Sequence, residues 1–348
     1  MREFRLRTDL QRVVTNGFAM PLGIVPADKV TPQQGYTLKY QDDQEDLPPT
    51  YTFHVVVSHE RVSEILLAVF QLLPDKLFAI VEIGSRDAYR STDTFLSTVP
   101  ISKADFLRTW VKYEKFLLED GSIAAGANSE EPFIEVFVDQ WKGIFLHVPL
   151  EQRDRFEDLL HQHGLEEVLE TWPEIEEDQD PFAEDATLIR SVLDLSAEDL
   201  PDVDDVLMNL RVDWGLELNI DPESNVDEAG RELGVTLWHA MVILEPSEET
   251  RSLSQSAGVH GGAYASIWAS ADCLAELEQL LEKALADYPQ YQFAEIFTVD
   301  RVAHDERPEF LSDLPLRLTE SQVLHIDIDP WMETRRGDLP SSGEQHRG

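Results

Sequence analysis

The sequence predicts an α+β protein built as two α/β-sandwich-like domains with mainly antiparallel sheets and helices on one side. Three observations predict it. β-Branched and aromatic runs alternate with segments of helical apolar period; one short loop ending in Gly joins two such runs as a hairpin; and an acidic stretch interrupts the pattern near the middle of the 348 residues. The expected organisation is an N-terminal α+β domain over 1–165, an acidic linker over 166–205, a C-terminal α+β domain over 206–330 and a disordered tail over 331–348.

In the first half, Thr52 to Val57 reads as a strand, and Ser58 stands where it can cap a helix carrying Val62, Ile65, Leu66 and Phe70. Pro74 and Asp75 stop that helix, and Phe78 to Ile83 is the next strand. Ser102-Lys-Ala-Asp105 has the form of a capping box opening a helix to about Leu118. Phe133–Val138 and Ile144–Val148 flank Asp139-Gln-Trp-Lys-Gly143 as a hairpin, and Leu150 to Gln162 is a helix stopped near Gly164.

The linker is marked by charge. Sixteen acids stand against one base, Arg190, between Glu166 and Asp205, and the span from Pro173 to Asp185 has too little apolar material to order itself. Beyond it, Val212, Trp214, Leu216, Leu218 and Ile220 alternate with polar residues and read as a half-buried strand. Gly234 to Leu244 is apolar on both faces and reads as a central strand. Tyr264 to Ala269, a helix over Ala271 to Ala286 and a strand over Phe293 to Val299 complete the domain. The segment from His54 through Ile83 and that from Ser266 through Phe297 share the order strand, Ser cap, helix, then strand beginning Phe-Ala. Either a diverged duplication or the common form of any two such units accounts for this.

Composition restricts function. With 28 bases against 68 acids the formal net charge is −40, a surface that repels phosphate, so neither direct nucleic-acid binding nor an anionic membrane is an expected partner. A basic protein partner is expected instead, because opposite fields steer association. An acidic, Lys-poor composition is also what a proteome-wide trait would produce. A single cysteine, Cys273, forms no intramolecular disulfide, and no apolar run approaches the length of a membrane span or the form of a signal peptide. The expected location is the cytoplasm.

Few residues point to chemistry. Alternation over Val323 to Asp329 puts His325, Asp327 and Asp329 on one strand face, a donor set that suits a divalent metal and equally suits a solvated strand face. His161 and His163 stand at a helix end, where they favour its carbonyls. Ser254 to Gly262 is Gly-rich but lacks the phosphate-binding lysine and spacing, no Gly-x-Ser-x-Gly occurs, and Cys273 has no sequence-adjacent His. Glu174, Glu176, Glu177, Asp178, Asp180, Glu184 and Asp185 of the linker are the expected docking segment for a basic partner. Arg108, Lys112 and Lys115 form a basic stripe that could receive an acidic partner or this protein's own linker. Trp141 at the hairpin tip is a candidate interface anchor or a ring folded back on its own sheet. The expected function is therefore noncatalytic: an acidic binding or regulatory protein of inhibitor, immunity or nucleic-acid-mimic type, with no resident cofactor. The alternatives are a metal-assisted hydrolase on the His325 face and a structural assembly subunit.

Overall fold

The computed structural model describes residues 3–26, 32–42, 49–171, 188–197, 200–248, 250 and 259–334, with the side chains of 259, 260 and 332–334 excepted. It is a mixed α and β structure with antiparallel strand pairing, divided into two compact units. The first comprises Met1–Gly84 and Thr92–Asn219, the second Ser85–Ser91 and Ile220–Gly348.

The first unit begins with the short strands β1 (Val14–Thr15), β2 (Phe18–Ala19) and β3 (Ile24–Val25), followed by β4 (Gly35–Gln41) and β5 (Thr50–Val56). Helix α1 (His59–Leu72) leads to β6 (Lys76–Gly84), β7 (Thr92–Ser97) and the two-residue β8 (Ile101–Ser102). Helix α2 (Lys103–Glu119) starts where the capping box places it: Ser102 Oγ accepts from the Asp105 amide. Strands β9 (Ile123–Glu130), β10 (Phe133–Val138) and β11 (Ile144–Pro149), helix α3 (Arg153–Gln162), β12 (Leu188–Ile189), helix α4 (Val203–Trp214) and β13 (Leu216–Leu218) complete it.

The main sheet runs β13-β7-β6-β9-β10-β11-β5-β4, with β8 paired to β6. Period-two alternation sorts its side chains. Val55, Phe53, Leu146, Val136, Ala125 and Val81 point to one face and join residues of all four helices in a single core, which includes the stacked Phe106 and Trp214 rings 5.1 Å apart. The opposite face carries a smaller cluster of Phe18, Met20, Ile24 and Val56 at one end.

Residues 211–220 correct the sequence reading. They are not one alternating strand. Val206, Leu207, Leu210 and Trp214 recur at helical spacing and are buried, Asp202 and Asp205 form a reciprocal capping box, and Gly215 ends α4 at φ 63°. Local caps and the helical stripe overrode an alternation that leaves Val212 75% exposed. Residues 206–219, expected at the start of the second domain, therefore fold into the first unit. So do the described ends of the acidic stretch: Leu188–Ile189 pair with β3, and Val192 and Leu193 are buried in the first core. The span 172–187 lies outside the described residues, as do 335–348 of the expected tail.

The second unit is a sheet of order β16-β14-β15-β17, formed by β14 (Thr236–Pro246), β15 (Val259–Ala271), β16 (Tyr291–Val302) and β17 (Gln322–Thr334), with α5 (Leu274–Leu285) between β15 and β16. Leu274, Leu277, Leu281 and Leu285 bury one stripe of α5, and Ala240, Val242, Ala265, Ile267 and Ala269 are fully buried in the sheet. Full burial of each leucine contributes about 1.5–3 kcal/mol. The two strand–helix–strand segments alike in sequence differ in sheet position: β5 and β6 have three strands between them, β15 and β16 one.

Arg301, 5% exposed, ties Ser85–Ser91 into this unit. Its Nε lies 2.9–3.0 Å from both oxygens of Asp87, its Nη1 donates to Asn225 Oδ1 at 2.9 Å, and its guanidinium stands 5.7 Å from the centre of the Trp238 ring. Arg301→Met leaves the buried Asp87 carboxylate with only the longer Arg90 contact at 3.6 Å and is expected to cost about 3 kcal/mol in urea unfolding. Asp202→Ala removes the α4 cap and is expected to cost about 1 kcal/mol; an alternating strand at 211–220 would show no such loss.

Candidate functional site

β17 sets out the residues the sequence singled out. His325, Asp327 and Asp329 stand exposed on one face, directly opposite Trp268, Ser266 and Tyr264 of β15. The pairings continue to His239, Met241 and Ile243 of β14 and to Asp300, Thr298 and Glu295 of β16. Three cross-strand rows thus share the face turned away from α5. Four carboxylates fall in them and no Lys or Arg does.

Aromatic rings share this face. His239 stacks on Trp268 at 4.2 Å and its Nε2 is 2.8 Å from Ser266 Oγ; burial lowers its pKa, so the ring is neutral near pH 7. Phe310, from the 3-10 turn Glu309–Leu311, meets Trp268 edge-on at 5.9 Å and His325 at 4.8 Å, bounding one end. Its loop is stapled by Arg307 Nη1, which donates to the Leu314 and Pro315 carbonyls. At the other end Trp331 lies over Gly262, where a Cβ would sit 2.5 Å from the indole, and 6.3 Å from Tyr264. Glycine at 262 is what lets that ring lie down on the sheet.

A metal centre needs donor atoms converging on one ion at about 2 Å each. His325, Asp327 and Asp329 instead step along the strand at about 6.8 Å per pair of residues. Among the described residues no group of three His, Cys, Asp or Glu side chains converges to hold a metal ion. The sequence placed these three on one face correctly; the strand spreads them rather than gathering them.

The basic stripe of α2 is occupied locally. Arg108 pairs with Asp105, and Lys112 Nζ lies 2.5 Å from Asp213 of α4, whose carboxylate also accepts from Tyr113 Oη at 2.9 Å. Lys115 is exposed. Two of the three cations therefore serve helix contacts. The acids Glu174, Glu176, Glu177, Asp178, Asp180, Glu184 and Asp185 lie outside the described residues. Trp141 is half-buried against the Phe18, Met20, Ile24 and Val56 cluster. His161 Nε2 is 3.1 Å from Tyr36 Oη and His163 Nδ1 is 2.9 Å from Glu64, so each has a specific side-chain partner besides the helix end. Cys273 is the half-buried N-cap of α5.

Sequence reasoning missed two polar clusters in the first unit. In one, Thr52, His147 and Glu135 fall in register on β5, β11 and β10. Thr52 Oγ1 is 2.9 Å from His147 Nδ1, but His147 Nε2 is 3.7 Å from Glu135, beyond hydrogen-bond reach. Burial lowers the His147 pKa, and burial beside Glu82 raises that of Glu135. The series therefore lacks the continuous bonding of a nucleophile, base and acid. The signal was the alternation of β10 and β11, which placed both side chains on one face without revealing the register between strands.

The second cluster clasps the N-terminal strands. Arg12 forks onto Glu119 at 2.6 and 3.0 Å, His59 Nε2 lies 3.1 Å from the same carboxylate, and the Leu22 amide donates to it at 2.8 Å. Nearby, Lys142 is 3% exposed at φ 67°, and its Nζ donates to the Ile123 carbonyl at 2.6 Å. Burial pushes Lys142 down to about 8 and Asp139, in the same hairpin loop, up to about 6. A hairpin lysine reads from sequence as solvated; only the fold buries it.

No helix among the described residues is long and apolar enough to cross a membrane. No protein-family model matches the chain, and no curated protein or solved structure matches it.

Burial alone would raise the Glu119 pKa, but the hydrogen bonds from His59 and Arg12 outweigh it and hold the carboxyl at about 2, below its ordinary 4.5. The group titrates lower in the folded state, so its stabilisation is complete above pH 4.5 and is lost as pH falls toward 2. On the order of 3 kcal/mol is involved. Glu119→Gln is expected to flatten this acid limb in unfolding curves recorded against pH; an unchanged limb would place the titration elsewhere.

Proposed function

We propose that this protein is a noncatalytic binding or regulatory protein that engages a basic protein segment through the open sheet face of its second unit. The observation that supports the reading is the set of carboxylates Asp300, Glu295, Asp327 and Asp329, with no Lys or Arg in their rows, on one face with Trp268 and Tyr264. Carboxylates supply charge-assisted acceptors for ammonium and guanidinium groups, and aromatic faces attract the same cations. Polyanionic nucleic acid would be repelled by this face, which resembles nucleic acid in charge sign and competes for the same basic partners. Inhibitor, immunity and nucleic-acid-mimic roles are forms of one activity: occupying a basic surface. With one cysteine and no disulfide to maintain, we place that activity in the cytoplasm.

Fluorescence anisotropy with a labelled Arg-rich peptide tests the reading. Asp327→Asn with Asp329→Asn is expected to weaken binding about 5-fold or more, with affinity falling further as salt rises from about 0.05 to about 0.5 M. The control, Asp154→Asn with Asp158→Asn on the exposed face of α3, removes the same charge from the first unit and should leave binding nearly unchanged. Equal losses in both variants would mean that net charge acts without a site and would overturn the reading.

A further inference from the structure

We infer that the partner segment binds as an added β-strand on the outer edge of β17, with basic and apolar residues in alternation; this rests on the proposed basic-partner reading. β17 is an edge strand, hydrogen-bonded among the described residues to β15 alone. Its register with β15 shifts once, between Trp268 and Ala269, and is regular from His325 onward. Pro330, which has no amide hydrogen to donate, closes the run. His325 to Asp329 is thus a regular edge of five residues, the length of an ordinary strand.

The side chains along that edge specify what an added strand would carry. Asp327 and Asp329 are exposed on the open face, while Ile326 and Ile328 are half-buried on the face that α5 covers. A neighbouring strand follows the same pleat, so its residues fall alternately beside carboxylate and beside isoleucine at the same spacing of about 6.8 Å per pair. Opposite charges directly across a strand pair are favourable and like charges unfavourable. The recognised pattern is therefore Arg or Lys, apolar, Arg or Lys, in extended backbone. A helical basic segment would present its charges at the wrong spacing.

Charge also selects against the other occupant of a sheet edge, a second copy of this chain. Pairing β17 with β17 would bring Asp327 and Asp329 of the two copies together across the new ladder. The same carboxylates that discourage self-pairing favour a basic strand. The opposite edge is less suited: β16 shifts register against β14 twice, between Met241 and Val242 and between Ile243 and Leu244, and such bulges interrupt a continuous ladder.

The test compares three labelled peptides with the full chain: one alternating Arg and Val, one with the same residues in two blocks, and the alternating peptide N-methylated at alternate backbone amides. The alternating peptide is expected to bind about 10-fold more tightly than the block peptide, with slowed amide hydrogen exchange at Ile326 and Ile328 or their neighbours in β17. N-methylation, which keeps every charge, is expected to abolish that preference. Equal affinity for all three peptides, still weakened by Asp327→Asn with Asp329→Asn, would overturn strand addition and leave the acidic-face reading standing. No binding by any of them would overturn both.

Discussion

Each of the two large sheets has its helices on one face only, and that constraint governs what their strand residues can do. A pleated strand sends successive side chains to opposite faces. In the first unit the covered face meets four helices and buries one continuous core, so the other face is left to the N-terminal strands and a row of polar groups. In the second unit α5 covers one face, and the other carries four carboxylates among aromatic, imidazole, hydroxyl and aliphatic side chains. With 68 acids to place and no room for uncompensated charge in either core, such faces are where acids can stand in number.

The buried charges that do occur are held by several partners at once. Arg301 reaches Asp87, Asn225 and the Val226 carbonyl, and Asp87 Oδ2 also accepts from the Arg301 amide. The pair thereby fixes residues 85–91, which leave the sheet of the first unit after β6 and return to it at β7, as a part of the second unit. Glu119 plays the corresponding part in the first unit, joining Arg12, His59 and the Leu22 amide across long sequence separations. Both networks spend charge on holding chain segments. Neither presents an unpartnered carboxylate to a ligand.

Local signals were legible in the sequence and tertiary ones were not. The Ser102 cap, the Asp139–Gly143 hairpin and the alternation that sets His325, Asp327 and Asp329 on one face depend on neighbours within a few residues, and each is present. The stretch 211–220 failed because alternation and helical spacing both fit it, and Trp214 satisfies either; the Asp202–Asp205 box upstream decided the matter. Which residues stand opposite β17 could not be read at all. Trp268 and Tyr264 lie about sixty residues away in sequence, and only the ladder register brings them beside His325 and Asp329. The basic stripe on α2 was likewise real as a pattern, but its partner Asp213 comes from a helix that the sequence reading had assigned to a strand.

The aromatic rings bear on why an acidic face of this kind differs from diffuse surface charge. Exposed ion pairs are individually weak in water and are screened by salt, so a carboxylate row alone gives attraction with little selectivity. Rings beside the carboxylates change the medium in which a cation is received. Trp268 is wedged between His239 and Phe310, and Trp331 is laid flat over Gly262, so both indoles are positioned before any partner arrives. A guanidinium set against such a ring loses part of its water while keeping a carboxylate in reach, and its attraction then depends on where its side chain falls along the pleat. Position, and not charge alone, becomes the quantity that distinguishes one basic segment from another.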